Sequence, residues 1–536
     1  MRHGLAMGAL LAFLVSSQVA CVVGPRFTRC PGEGGRPWVQ LDSDHFTLQT
    51  DLPSDEARKA MVQLERTRVA MLAAMWPHVL GQPMQKLQVY VLRDVGEFEG
   101  LYPRRVRAFF FKGESEALIV LPGTPDSWER RFSGRSEASS SRLNHELAHH
   151  LSTYALARQP RWLSEGLAEY LELLRLSEDG TTAIVGGPHL EALHEVVWRL
   201  RWVEAKLDKS TRRRQPVPWT TSRLFAWNRA EEQSVAEDER DQLVAAMYAG
   251  SWLMVHWLVN ARPQEFAAYQ ALLAQGVEPD VALRRALPEL ETQVLDKLLL
   301  EYVRKRSFPE RTVKVPPVGT SYVEQVLDDA EVHAIRAKLA ALAANMAPRE
   351  PFIQNRKKLM KDELDEALRL DPKSLLALST KLWSAPEGER PAIARAAVEA
   401  WPDESEAWLL LATALGSEPE ARVEREAAYK KALELEPRNA YAATGLAWQL
   451  VTQGRIEEAL PLAQWAVTLT PWSTYALDTY AMALAGSGAC EEAVQTEQRA
   501  LELIQEEGNP EVERVLTERL AGLTDGTLCA KAAPAP

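Results

Sequence analysis

The spacing of apolar residues changes along this chain, and each spacing predicts a different kind of element. From Trp38, the run Val39–Leu41 and the alternation His45-Phe46-Thr47-Leu48-Gln49 read as short strands. Leu87-Gln88-Val89-Tyr90-Val91-Leu92 predicts a further strand, and Ala108–Phe111 and Ala117–Leu121 two more, the last closed by Pro122-Gly123. Ser54 to Trp76 carries Leu64, Val69, Leu72 and Trp76 among the apolar positions of a helix. Asp126 to Ser141 is polar and rich in Ser, Arg and Glu, which predicts a mobile loop. Residues 187–305 read as helices, the most apolar being Tyr248 to Leu258. The order of elements predicts an α+β region up to about residue 305.

The pattern then repeats. Pro437 and Pro471 stand 34 residues apart, as do Gly454 and Gly488, Ala459 and Ala493, and Ala466 and Ala500. That period is the length of a tetratricopeptide (TPR) repeat, in which small residues let paired helices approach and a proline ends the second helix. Leu370-Asp371-Pro372 and Ala400-Trp401-Pro402 show the same ending at imperfect spacing. An all-α domain of three to four TPR-like helical pairs is therefore expected over about 357–508, with a C-terminal helix and tail at 509–536. Such stacks present a concave surface suited to a protein partner. Residues 306–356 read as a linker or helical connector and the charged stretch Arg349 to Asp365 as a connector, so residues from about 350 onward are expected to fold apart.

Chemistry concentrates in His145-Glu146-Leu147-Ala148-His149 and in Trp162-Leu163-Ser164-Glu165-Gly166-Leu167-Ala168-Glu169-Tyr170. On a helix, His145 and His149 lie at i and i+4, so both imidazoles leave one face and can bind one ion. Glu146 stands close enough to serve a metal-bound water without ligating the metal. Two imidazoles and a carboxylate suit Zn²⁺ with a fourth position open. The second segment supplies the carboxylate, since Pro160 ends whatever precedes it and a helical pattern follows from Leu163. Glu165 and Glu169 are both candidates there. His150 is rotated by about 100° from the ligand face, and so reads as a surface group or one that supports a ligand. His256 reads as a core histidine. A metzincin site would need Gly at position 152 and His at 155, where this chain has Ser152 and Ala155.

The two motifs resemble those of the gluzincin metallopeptidases, and most closely the peptidase MA-like branch. The resemblance is specific over about Leu143 to Leu173 and looser over about 38–305. It implies a zincin-like peptidase domain at 38–305, with an upper α/β lobe (about 38–150) and a helical lower lobe (about 160–305). It also implies one Zn²⁺ held by His145, His149 and Glu165, with Glu146 as general base. Glu169 is then left to hold a ligand histidine by its second ring nitrogen. Tyr248, on a later helix, is the candidate for a hydroxyl at the oxyanion, with core packing as the other reading. The gap between the motifs is shorter than in large aminopeptidases of the clan. No Gly-x-Met-x-Asn segment precedes the zinc helix, which favours an endopeptidase.

Net charge and chain ends complete the picture. A net charge of −12 without a long basic run argues against nucleic acid as a partner, and Arg212-Arg213-Arg214 reads as a solvated loop. Arg2 and His3 precede an apolar run from Leu5 to Val15, the pattern of a secretory signal peptide over residues 1–21. Val19-Ala20-Cys21 resembles a bacterial lipoprotein cleavage site, with Cys21 lipidated and residues 22–37 as a tether. No later segment is apolar for 18 residues, so no internal membrane span is expected. Cys490 and Cys529 can pair in an exported chain. The expectation is a zinc peptidase in the bacterial cell envelope, anchored by lipid to a membrane, acting on a peptide or protein substrate. The alternative is a non-catalytic TPR-containing lipoprotein that acts as a scaffold.

Overall fold

Two strands carry apolar residues at successive positions because both of their faces are covered. They lie inside a six-stranded sheet made of β1 (Trp38–Asp42), β2 (Phe46–Thr50), β3 (Leu87–Leu92), β4 (Phe109–Lys112), β5 (Ala117–Pro122) and β11 (Val323–Leu327). The order is β11-β1-β2-β3-β5-β4, with β3 parallel to β2 and β5 and the other neighbours antiparallel. Val89, Val91, Ile119 and Leu121 enter one core with helices α1 (Ser54–Met75) and α4 (Arg142–Ala155). Tyr90, Leu92, Leu118 and Val120 enter the other, with α2 (Val95–Leu101) and α12 (Asp329–Met346). This computed structural model describes residues 26–529 apart from 104–105, 115, 132–138, 205–219, 229–231, 233, 320, 348 and 417–418. The expected signal peptide with Cys21, and Arg212-Arg213-Arg214, lie outside the described residues.

Three expectations change. The stretch read as a linker or helical connector at 306–356 is helical in α12 and at the start of the next helix, but it also holds two strands. There β10 (Glu310–Lys314) pairs with β9 (Thr182–Gly186), and β11 pairs with β1. Both strands are largely exposed, so their side chains carry little apolar pattern, and backbone pairing alone defines them. The residues read as a tether also pack. Cys30 is buried, with Sγ 3.2 Å from His333 Nε2 and 2.9 Å from Arg336 NH1, and Gly32 N donates to the Asp329 carboxylate at 2.9 and 3.0 Å. The loop read at 126–141 contains a short helix, α3 (Pro125–Trp128), and a ladder of β6 (Glu129–Arg131) with β7 (Ser139–Ser141).

The charged stretch from Arg349 lies in α13 (Glu350–Leu370), which packs on α12, so paired helices begin before residue 357. They continue as α14 (Leu375–Ser384) with α15 (Arg390–Ala400), α16 (Ser405–Ala414) with α17 (Arg422–Leu435), α18 (Ala440–Thr452) with α19 (Ile456–Leu469), and α20 (Thr474–Ser487) with α21 (Cys490–Glu507). The repetition reaches individual bonds. Trp401, just past α15, Trp465, within α19, and Arg499, within α21, each donate to a carbonyl 28 residues back, those of Lys373, Pro437 and Pro471. A final helix, α22 (Pro510–Thr524), covers the last pair, and the Cys490–Cys529 disulfide closes that end. This array does not stand apart from the sheet region: Trp472 is 2% exposed and belongs to the same core as Leu143 and Leu147 of α4. Among the described residues one helix, α8 (Glu237–Ala261), contains a stretch long and apolar enough to cross a membrane, but 78% of that stretch is buried inside the fold.

Candidate metal centre

The helix bearing both histidines starts where the Ser141 hydroxyl accepts the Asn144 N–H, which satisfies one otherwise orphaned donor. Leu143, Leu147, Ala148 and Leu151 bury one side of α4, which leaves His145, Glu146 and His149 only half-buried, towards a cleft. After a short turn, α5 (Arg161–Leu171) follows Pro160 and buries Trp162, Leu163, Leu167 and Tyr170. Gly166 has a steric reason to be glycine. A Cβ there would meet Ser251 O at 2.5 Å and Val255 Cγ2 at 2.6 Å, so α5 and α8 approach backbone to side chain. That approach carries Tyr248 of α8 over the site.

Three donor atoms converge. His145 Nε2 and His149 Nε2 are 3.2 Å apart, and Glu165 Oε2 lies 3.7 Å from the first and 3.4 Å from the second. Ligands about 2.0–2.1 Å from a tetrahedral ion stand roughly 3.3–3.4 Å apart, so this triangle is the size a four-coordinate Zn²⁺ requires. Glu165 Oε2 is buried with no hydrogen-bond partner, an atom that an ion would satisfy. The donor set therefore fits the metal that the sequence suggests. Glu146, beside the triangle, accepts the Phe110 N–H at 2.9 Å through Oε2; Phe110 lies on β4, the end strand of the sheet. The Tyr248 ring stacks on His145 with centroids 6.3 Å apart and planes 11° apart. A cavity of about 910 Å³ opens over these groups, with Arg107, Arg142, His189, Glu191 and Glu195 around it.

The outer partners differ in part from those expected. His149 Nδ1 meets Ser164 Oγ at 3.1 Å. His145 Nδ1 meets Glu172 Oε2 at 3.1 Å, while Glu169 Oε1 stands 3.7 Å away, beyond hydrogen-bond range. Glu169 instead approaches His189 Nε2 at 3.1 Å. The role expected of Glu169 thus falls to Glu172, the residue that caps α5 in helical conformation and, at i+7 from Glu165 and i+3 from Glu169, continues the same face. His189 leaves no such sign: only tertiary packing brings it to Glu169. A second grouping, His145 with Glu169 and Glu172, also lies within metal-ligand reach, but it uses the Nδ1 side of the ring that the triangle leaves for support.

Charge follows geometry. Burial would lower the His145 imidazole, but the Glu165 carboxylate beside it and the bond to Glu172 outweigh it and raise the group well above its ordinary value. Burial raises the Glu165 carboxyl, yet His149 and His145 together hold it well below the usual carboxylate range. Glu146 is pushed up by burial, with the two histidines opposing. Burial also pushes up the Tyr248 phenol and keeps it protonated. His150, read as a surface or supporting group, is instead buried against Phe110, Tyr154 and Trp472, and desolvation depresses it to about 3. His256 is a core histidine, with Nδ1 2.8 Å from the Tyr302 hydroxyl.

No protein-family model matches the chain, and no curated protein matches it. Among solved structures it is similar to the crystal structure of MamA protein, at 16% identity over 33% of this chain and 92% of that one, with a TM-score of 0.25. A second MamA crystal structure shows 19% identity over 30% and 98% of the two chains, with a TM-score of 0.24. YrrB, a TPR protein with an unusual peptide-binding site, shows 19% identity over 31% and 86%, with a TM-score of 0.23. The helical repeats themselves are seen in the pairing of α12 to α21, independently of these likenesses.

Proposed function

We propose that this chain is an exported zinc peptidase of gluzincin type, lipid-anchored through Cys21 in a bacterial cell envelope, with the TPR-like array as its protein-interaction module. The observation that supports the reading is the triangle of His145, His149 and Glu165 with Glu146 at its side. Zn²⁺ held there would polarise a scissile carbonyl and lower the pKa of its water. Glu146 takes the proton of the attacking water and passes it to the leaving amine, and its burial-raised pKa suits that exchange. A substrate laid along the open edge of β4 competes for the Phe110 N–H and so releases Glu146 for this work. Tyr248 keeps its proton and offers it to the developing oxyanion.

Protein lacking residues 1–21 should bind about one zinc per chain, and the double change His145→Ala, His149→Ala should remove it. Stoichiometric zinc in that variant would place the metal elsewhere. In a peptide-library digest, Glu146→Gln should keep zinc and fold and lose roughly a hundredfold or more of the rate. Cleavage at the parent rate would remove Glu146 as the base. The second reading, a scaffold whose repeats hold a partner protein, is favoured by the five stacked helix pairs. It predicts partner capture that Glu146→Gln leaves intact, with no peptide cleaved by the unaltered chain.

A further inference from the structure

The repeat array touches the rest of the molecule at both ends, and the tip of one hairpin lies between those ends. At the near end, Val332, Ile335 and Leu339 of α12 share a core with Tyr90, Leu118 and Val120 of the sheet. At the far end, the turn from Thr470 to Ser473, between α19 and α20, meets the metal helix. Leu469 O accepts the Tyr154 hydroxyl at 3.0 Å, and the Trp472 ring packs against His150 and Tyr154, each at 5.6 Å. Arg158, just past α4, pairs with Glu502 of α21.

The hairpin is the β4–β5 turn. Trp472 Nε1 donates to Gly113 O at 3.1 Å. The Glu114 carboxylate accepts from the Ser473 hydroxyl and, at 3.3 Å, from the Tyr475 N–H, in the first turn of α20. On the other side, Glu116 pairs with Lys338 of α12 at 2.7 Å. Glu406 and Tyr441, near the starts of α16 and α18, lie within electrostatic reach of Glu116 and Glu114 respectively. Glu406, Tyr441 and Tyr475, equivalent positions of three successive first helices, thus lie on the side of the array nearest that turn, and Tyr475 bonds to it through its N–H. The strand leading into that turn carries Phe110, whose N–H holds Glu146, and the helix under Trp472 carries His149.

We propose that this face of the array is a docking surface whose occupant is the β4–β5 turn of the same chain, and that through it the array sets the position of the cleft's end strand and of the metal helix. The docking rests on the contacts alone; its effect on the metal site rests also on the function proposed above. A protein partner that uses the same face must displace Glu114, so partner binding and cleft geometry become reciprocal.

Amide hydrogen exchange of the full chain, read by mass spectrometry, tests this. Glu114→Gln weakens the carboxylate's hold on α20, and Trp472→Phe removes only the bond to Gly113 O and part of the ring. Asn439→Ala, which removes the cap of α18, is the control for a generally loosened array. Both seam variants should speed exchange in residues 109–112 and in α4 by about tenfold, the counterpart of roughly 1.4 kcal/mol. The control should speed it within the array only. Exchange confined to the array in the seam variants, or the same pattern in all three, overturns the docking. Co²⁺ absorption is read in parallel. If the unaltered chain binds no Co²⁺, the metal reading fails while the exchange result still decides the docking. If it binds Co²⁺ and the seam variants show faster exchange with an unchanged spectrum, the link to the metal site is refuted.

Discussion

Glu172 gives the sharpest test of the site, because the structure moves to it a role the sequence gave to Glu169. A histidine that ligates through Nε2 carries its proton on Nδ1, and that N–H needs an acceptor to keep the ring oriented. For His145 the acceptor in range is Glu172 Oε2 at 3.1 Å; Glu169 at 3.7 Å is not bonded. A hydrogen bond to a charged group contributes about 1.5–3 kcal/mol. That is close to the roughly 10- to 100-fold in metal affinity expected for such an outer partner. Glu172→Gln retains an oxygen that can accept but loses the charge, so it should fall near tenfold. Glu172→Ala should approach a hundredfold, and Glu169→Gln should stay within a few-fold. Competition with a chelator at fixed pH measures all three, since protons compete with metal for the same nitrogens. If Glu169→Gln weakens zinc more than Glu172→Gln, the assignment is wrong.

Two further outcomes follow from the helices that frame the site. His256 is buried beside Tyr302, Tyr170 and Asn260 and is depressed to about 4, chiefly by desolvation, against about 6.5 unfolded. Its contribution is fully present above pH 6.5 and is lost as pH falls towards 4; about 2 kcal/mol should go between pH 7.5 and 5. Denaturant titrations at the two pH values should show that His256→Asn lacks this part of the loss, and an equal loss in both proteins would refute the account. Gly166→Ala pushes a methyl into Ser251 O and Val255, so it should cost about 1–3 kcal/mol. An unchanged melting temperature would show that α8 yields freely.

What the sequence determined by itself was local. His145 and His149 stand one helical turn apart, so their common face, with Glu146 beside it, follows from a 3.6-residue period whatever surrounds them. Strands such as Leu87–Leu92, buried on both faces, and the 34-residue helix pairs wrote themselves into the apolar pattern because burial selects those side chains. Exposed strands left little such record: Glu310–Lys314 and Val323–Leu327 are held by backbone bonds that any side chain permits, so the sequence reads as a linker or helical connector where two sheets gain an edge. Glu172 shares the helical face of Glu165 and Glu169, at i+7 from the former, but which of Glu169 and Glu172 reaches the His145 ring only packing decided, and no periodicity reports a ring 20 residues past Glu169. Trp472 lies in a turn of the repeats, where the 34-residue period says nothing of its partner, yet it closes the core beneath α4. Patterns along the chain encode which faces are buried; which buried faces meet, and which acceptor reaches which ring nitrogen, depends on distances that only the folded chain sets.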